Sequence, residues 1–134
     1  LPQALKSAGY RTVLIGKWQL GSARKDMHPT ERGYDHFYGH LAGEIDYLKK
    51  TDHGGRPDWW RNDKRIKEDG HVTALMGREA AAVIARHDAA APLYMHLSFA
   101  APQAPLQGSK PYIDHYSADD QSLRAYRAMI SALG

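Results

Sequence analysis

Thr12-Val13-Leu14-Ile15-Gly16-Lys17-Trp18-Gln19-Leu20-Gly21 is the stretch whose reading decides the fold. Four β-favouring residues, Thr12 to Ile15, run into Gly16, the pattern of a short buried strand that ends in a turn. Lys17 then stands at the carboxyl end of that strand. In open α/β sheets ligands gather outside this rim. An ammonium there, beside glycines and an aromatic, suits an anion such as sulfate or phosphate. The same lysine also fits a plain solvated strand end.

Working outward, Leu1, Ala4, Leu5 and Ala8 recur at helical spacing before the stop at Gly9, so the chain opens with a helix-then-strand unit. From Trp18 to about Asp58 periodicity is poor and glycine, proline and histidine are frequent, which points to a long functional loop. Within it Phe37 to Leu41 reads as a short strand. Trp59 to Ile66 reads as a small hairpin with Asn62-Asp63 at its turn. Thr73 is expected to cap a helix reaching about His87, with Met76, Ala80, Val83, Ile84 and His87 on one face.

Leu93 to Phe99 is the clearest strand, with Leu93, Met95, Leu97 and Phe99 on one face and Tyr94, His96 and Ser98 on the other. A helix between two apolar runs implies a crossover and a parallel sheet. Lys17 and Gln103 would then share one carboxyl rim. Pro102, Pro105 and Pro111 are expected to hold the next loop extended. Pro111 to Tyr116 reads as a helical turn. Leu123, Tyr126, Ile130 and Leu133 mark a last amphipathic helix, entered through Asp119-Asp120.

Composition sets the outer bounds. The 134 residues are 43% hydrophobic and 25% charged, ordinary for a globular domain with a modest core. The net charge of +3 is scattered along the chain, which gives no footprint for nucleic acid. There is no cysteine, so disulfides and thiol chemistry are excluded within this stretch. No run of 18 apolar residues is present to span a membrane as a helix.

Several motifs follow one another in order: Gly9-Tyr10-Arg11-Thr12, Gly16-Lys17-Trp18-Gln19-Leu20-Gly21, Pro29-Thr30-Glu31-Arg32-Gly33-Tyr34-Asp35, Phe37-Tyr38-Gly39, Asp46-Tyr47, Ala101-Pro102-Gln103-Ala104-Pro105-Leu106-Gln107 and Tyr126-Arg127-Ala128-Met129. This series resembles the sulfatase family, and within it the arylsulfatase B-like (N-acetylgalactosamine-4-sulfatase-like) branch, nearly end to end. The resemblance implies an α/β fold: a slice of an alkaline-phosphatase-like mixed sheet flanked by helices. Residues 1–134 would be an early-to-middle segment of one catalytic domain, without an internal boundary, and the remainder of that domain would be its partner. The implied activity is hydrolysis of sulfate esters, on a sulfated carbohydrate such as a glycosaminoglycan or on an aryl sulfate. The implied setting is periplasmic, secreted or lysosomal.

In this family a cysteine or serine in Cys/Ser-x-Pro-x-Arg becomes formylglycine, which attacks sulfur beside a Ca²⁺. Neither that motif nor recognisable Ca²⁺ ligands occur in this stretch, so the resemblance brings over a small set of positions. Lys17 matches the lysine that contacts the sulfate and the formylglycine. Gln19 and Gln103 stand where the family carries two histidines. An imidazole can give or take a proton near neutrality, whereas an amide only donates and accepts hydrogen bonds. With no nucleophile, no recognisable metal ligands and glutamines at both histidine positions, the chain itself is expected to be inactive, while binding of a sulfated ligand could survive.

Two rival readings remain: a non-catalytic sulfated-glycan-binding protein of sulfatase descent, and a phosphodiesterase or phosphonate hydrolase of the same superfamily. Among further residues, His53 in a glycine-bearing loop and Trp59 beside Trp60 are candidates to touch substrate; the tryptophans equally fit core cover. His36 and His40, four apart, lack the glutamate of a metalloprotease helix and give no metal site. His96 is expected to be a buried, hydrogen-bonded histidine. Arg32 and Asp35 are expected to fix the long loop through an ion pair or turn hydrogen bonds.

Overall fold

The computed structural model describes residues 1–117 and 120–134. In chain order the elements are α1 (Pro2–Ser7), β1 (Arg11–Lys17), β2 (His36–His40), β3 (Trp60–Arg61), β4 (Lys64–Arg65), α2 (Val72–Ala85), β5 (Leu93–Ser98), α3 (Lys110–Ile113) and α4 (Gln121–Ser131). Short 3₁₀ turns at Lys25–Met27 and Pro29–Arg32 punctuate the long loop after β1. The sheet order is β4-β3-β2-β1-β5. β1 pairs in parallel with both β2 and β5, and the β3–β4 hairpin adds an antiparallel edge. The result is the mixed sheet flanked by helices that the motif series implied.

β1 lies at the centre because Thr12 through Gly16 are all buried. Its inward faces alternate: Val13 and Ile15 join Tyr38, Tyr47, Trp59 and α2 in the main core, while Leu14 packs with Tyr34, Phe37 and Leu41 on the opposite face. Trp18, Trp60 and Tyr94 pack against that second cluster. Thr12 anchors the loop's return. Its hydroxyl donates to the Gly33 carbonyl at 2.7 Å, and its backbone N–H donates to Asp35 Oδ2 at 2.9 Å. Gly33 sits at φ +98, where an added Cβ would fall 2.6 Å from the Gln3 nitrogen, so a side chain there would push α1 away. Asp35 pairs with Lys6 at 2.6 Å, so the partner of this loop carboxylate is on α1 and not Arg32.

Several expectations are corrected. The cap of α2 lies two residues before Thr73: His71 is its N-cap, and its Nδ1 accepts from the Thr73 N–H at 3.3 Å. Ile84 is 61% exposed, because the inward stripe of α2 runs through Val72, Leu75, Met76, Ala80 and Val83. His96 is exposed, with Nδ1 3.3 Å from the Tyr34 hydroxyl, because β5 forms the edge of the sheet. The loop after β5 bends, with the Gln103 N–H donating to Ala100 O at 3.0 Å. α4 buries Ala125, Ala128 and Met129, whereas Leu123, Tyr126, Ile130 and Leu133 are 39–45% exposed. Asp120 caps α4 through the Ser122 and Leu123 N–H groups; Asp119 lies outside the described residues. Among the described residues no helix is long and apolar enough to cross a membrane.

Candidate functional site

At the carboxyl rim three strands approach without intervening side chains. A Cβ on Gly16 would lie 1.9 Å from the Ser98 carbonyl oxygen, and one on Gly39 would lie 2.1 Å from the Gly16 carbonyl oxygen. Only glycine fits such backbone contact. One residue further on, Lys17 is in register with His40. Lys17 Nζ reaches across the rim and donates to Gln103 Oε1 at 2.9 Å. Residues 86 positions apart are thus joined where the strands end, on the single rim that a parallel sheet provides.

The Gln103 loop is tied down from behind by residues whose roles the sequence did not disclose. The Tyr47 hydroxyl donates to Gln103 O at 2.9 Å, and the Tyr47 N–H donates to Gln107 Oε1 at 2.7 Å. Gln107 Nε2 donates in turn to Asp46 Oδ2 at 3.1 Å. His71 Nε2–H donates to Gln107 O at 2.8 Å, which matches its Nδ1 acting as an acceptor at the α2 cap. The Asp46-Tyr47 and Gln103-to-Gln107 motifs are therefore two halves of one brace. Their common appearance in the ordered series was the only signal for it.

Gln19 follows at φ +54, a left-handed backbone that costs a non-glycine residue energy. It is held by its N–H donating to Leu41 O at 3.1 Å. Its side chain rests against Gly43, where a Cβ would fall 2.6 Å from Nε2. The turn that seats it is fixed by Asp58, which accepts from Leu41 N at 3.2 Å, Ala42 N at 2.8 Å and Trp60 Nε1 at 2.6 Å. His40 is fully buried beneath the same turn, with Nδ1–H donating to Ala42 O at 2.9 Å. Burial pushes its pKa down to about 4 against the pull of the Asp58 carboxylate, and the Lys17 charge adds to the lowering. His40 is therefore neutral at pH 7. Nothing in residue spacing marked Asp58 or His40 as braces.

The other candidates divide. His53 is exposed at the tip of the turn closed by the Thr51–Pro57 bridge, with Nδ1 3.8 Å from Glu44. Trp59 is only 2% exposed and meets Tyr38 edge-on at 5.0 Å, so its ring belongs to the core. Trp60, its neighbour, is the partly exposed one. His36 binds Glu79 at 2.8 Å, and Glu79 also binds Arg61 at 2.6 Å. Among the described residues no three His, Cys, Asp or Glu side chains converge as a metal cage. This donor set does not fit a Ca²⁺ ion, and with no cysteine and no Ser-x-Pro-x-Arg there is no residue here to become formylglycine.

Comparison with known proteins adds the family. The model described as Sulfatase matches residues 1–132. Arylsulfatase J of Mus musculus is 38% identical over 141 residues, covering 99% of this chain and 24% of that protein. The chain thus spans about a quarter of the length of the curated relative. The crystal structure of Ps i-CgsB in complex with k-i-k-neocarrahexaose superposes with a TM-score of 0.88 at 23% identity, covering 98% of this chain and 33% of the other. A second structure, solved in complex with its substrate D-glucosamine-2-N,6-O-disulfate, gives a TM-score of 0.64 at 29% identity, covering 84% of this chain and 20% of that one.

Proposed function

The chain belongs to the sulfatase family, and on that premise we propose that it forms the sulfate-holding rim of a longer sulfate-ester hydrolase of weakened turnover. The observation that carries this reading is the Lys17 Nζ–Gln103 Oε1 hydrogen bond of 2.9 Å. It aims an ammonium and an amide at the mouth of the parallel sheet. The ligand is a sulfated carbohydrate, in keeping with the sulfated glucosamine bound by one structural neighbour.

Lys17 supplies the positive charge for the sulfate oxygens. Gln103 accepts from Lys17 through Oε1, which leaves its Nε2–H₂ group free to donate to a ligand oxygen. Gln19 has the same capacity, and the Gly43 contact fixes where its Nε2 sits. Neither amide exchanges a proton near pH 7, so this pair holds the ester without relaying protons to its leaving group. The Ca²⁺ implied by the family resemblance has no donor cage among this chain's described residues.

The test uses the full-length protein with 4-nitrophenyl sulfate. Restoring imidazoles with Gln19→His and Gln103→His together is expected to raise kcat/KM by at least roughly 10²-fold, the usual worth of a general acid or base. Lys17→Ala is expected to remove sulfate binding in either background. Wild-type turnover equal to that of the double-histidine variant would overturn the weakened-turnover reading. Unchanged sulfate affinity in Lys17→Ala would overturn the site itself.

A further inference from the structure

Gln103 stands on the bent loop of residues 99–109 between β5 and α3, so its place on the rim depends on what ties that loop from outside. Part of the tie comes from Asp46 and Tyr47, through Gln103 O and the Gln107 amide. A further tie comes from another element, through His71, the N-cap of α2. His71 is buried, and its ring stacks on that of Tyr47 with centroids 5.3 Å apart and planes inclined by 25°.

The imidazole has a separate task at each nitrogen. Nδ1 accepts from the Thr73 N–H, so it carries no proton and the ring hydrogen sits on Nε2. Nε2–H then donates to Gln107 O at 2.8 Å. The helix cap thus selects the tautomer that reaches the loop. The backbone on either side of His71 is held as well. The Val72 N–H donates to Tyr47 O at 3.0 Å, and the buried Lys50 ammonium donates to Gly70 O. The first turn of α2, Tyr47 and the Gln107 end of the loop are therefore locked to one another. Further back along the same loop, Gln103 Oε1 meets Lys17 Nζ at 2.9 Å.

We propose that His71 is a positioning residue for the sulfate site, holding the Gln103 amide where Lys17 and a bound sulfate both meet it. The inference rests on the reading of the rim as a sulfate site, and adds to it a residue that acts on Gln103 from behind. A loop already held in its binding geometry gives up less conformational freedom when the ligand arrives, so the tie acts on affinity.

Two amide substitutions separate the two nitrogens. Asparagine brings an oxygen to about the place of Nδ1 and is among the best N-caps, so His71→Asn keeps the α2 cap and drops the tie to Gln107. Glutamine carries its amide nitrogen about as far out as Nε2, so His71→Gln keeps a donor for Gln107 O and drops the cap.

Titration calorimetry of the full-length protein with inorganic sulfate reads the difference. His71→Asn is expected to bind about fivefold more weakly at an unchanged melting temperature. His71→Gln is expected to recover most of that loss while melting a few degrees lower. Tyr47→Phe, which removes only the hydroxyl on Gln103 O, repeats the loss of affinity without touching α2. In a Gln103→Ala background these substitutions have no further effect on sulfate affinity, because the amide being positioned is gone. Affinity that falls in step with melting temperature across the two His71 variants, or a loss that persists without Gln103, overturns the proposal and leaves His71 a cap of α2 alone. Wild-type affinity in both His71→Asn and Tyr47→Phe overturns it too. Under these outcomes the Lys17 site still stands. Failure of the wild-type protein to bind sulfate, or binding indifferent to Lys17→Ala, removes the site and the inference together.

Discussion

β2 and β5 flank β1 on opposite sides, both parallel to it and both largely apolar or aromatic in sequence, yet they live in different surroundings. From Phe37 to His40 every residue of β2 is buried, down to a histidine with no access to solvent. β5 has no fully buried residue, and His96 and Leu97 face outward. The difference is one of neighbours. β2 is enclosed by β3 beyond it and by packed clusters on both faces, whereas β5 is the last strand. Apolar character says that a strand can be buried; the next strand along decides whether it is.

The strongest way to break this comparison is at Phe37, which is fully buried between Leu14, Tyr34 and Leu41. Phe37→Ala removes a ring from a close-packed site and is expected to cost about 3–5 kcal/mol. Urea unfolding would measure it. A loss below about 1.5 kcal/mol, the scale of a half-exposed position, would show that the β2 side is as loosely held as β5.

His40 gives the next largest effect, because its burial on β2 is paid in pH dependence. Its folded pKa of about 4 lies below the ordinary 6.5, so between those values the unfolded chain holds a proton that the folded chain refuses. Stability is therefore fully present above pH 6.5 and declines as pH falls toward 4, by on the order of 3 kcal/mol in all. Replacing the group by His40→Gln, which keeps a donor for Ala42, is expected to flatten that part of the stability profile. An unchanged slope between pH 6.5 and pH 4 would mean that His40 is solvated. His36 also has a lowered pKa, from burial opposed by Glu79, and remains in both proteins as an internal reference.

Much of this arrangement was legible in the sequence, and the failures have a common cause. The strand ending at Lys17, the helix before Pro92 and the strand after it follow from periodicity and breakers, and one parallel rim then brings Lys17 to Gln103. Periodicity also marked Leu123, Tyr126, Ile130 and Leu133 as an inward face, yet α4 turns the small residues Ala125 and Ala128 inward with Met129. A stripe shows what a helix could bury, and the packing partner chooses. His96 was misplaced because nothing in the local sequence says that β5 is the edge strand of the sheet. At the site, the polar braces were the unreadable part. Asp58 works through backbone N–H groups 16 and 17 residues away, a pairing that no local pattern encodes. His71 could be found as a cap only by allowing an imidazole the place usually held by serine or aspartate.

Leu97 offers the smallest effect and the sharpest use of the comparison. Its side chain lies on the outer strand at 38% exposure, so in the 134-residue chain Leu97→Ala is expected to cost no more than about 0.5 kcal/mol. On the proposal that the chain is part of a longer hydrolase, the open N–H and C=O groups of β5 are a template for another strand there, and a covered Leu97 would bring the loss into the range of about 2–5 kcal/mol seen for buried leucines. Denaturant unfolding of both forms, with and without the substitution, reads the difference directly. A gap above about 1.5 kcal/mol would mean that β5 is an interior strand waiting for its neighbour, and that the contrast with β2 belongs to this segment alone. Equal small losses would mean that the sheet truly ends at β5, leaving Leu97 a surface residue of the whole protein.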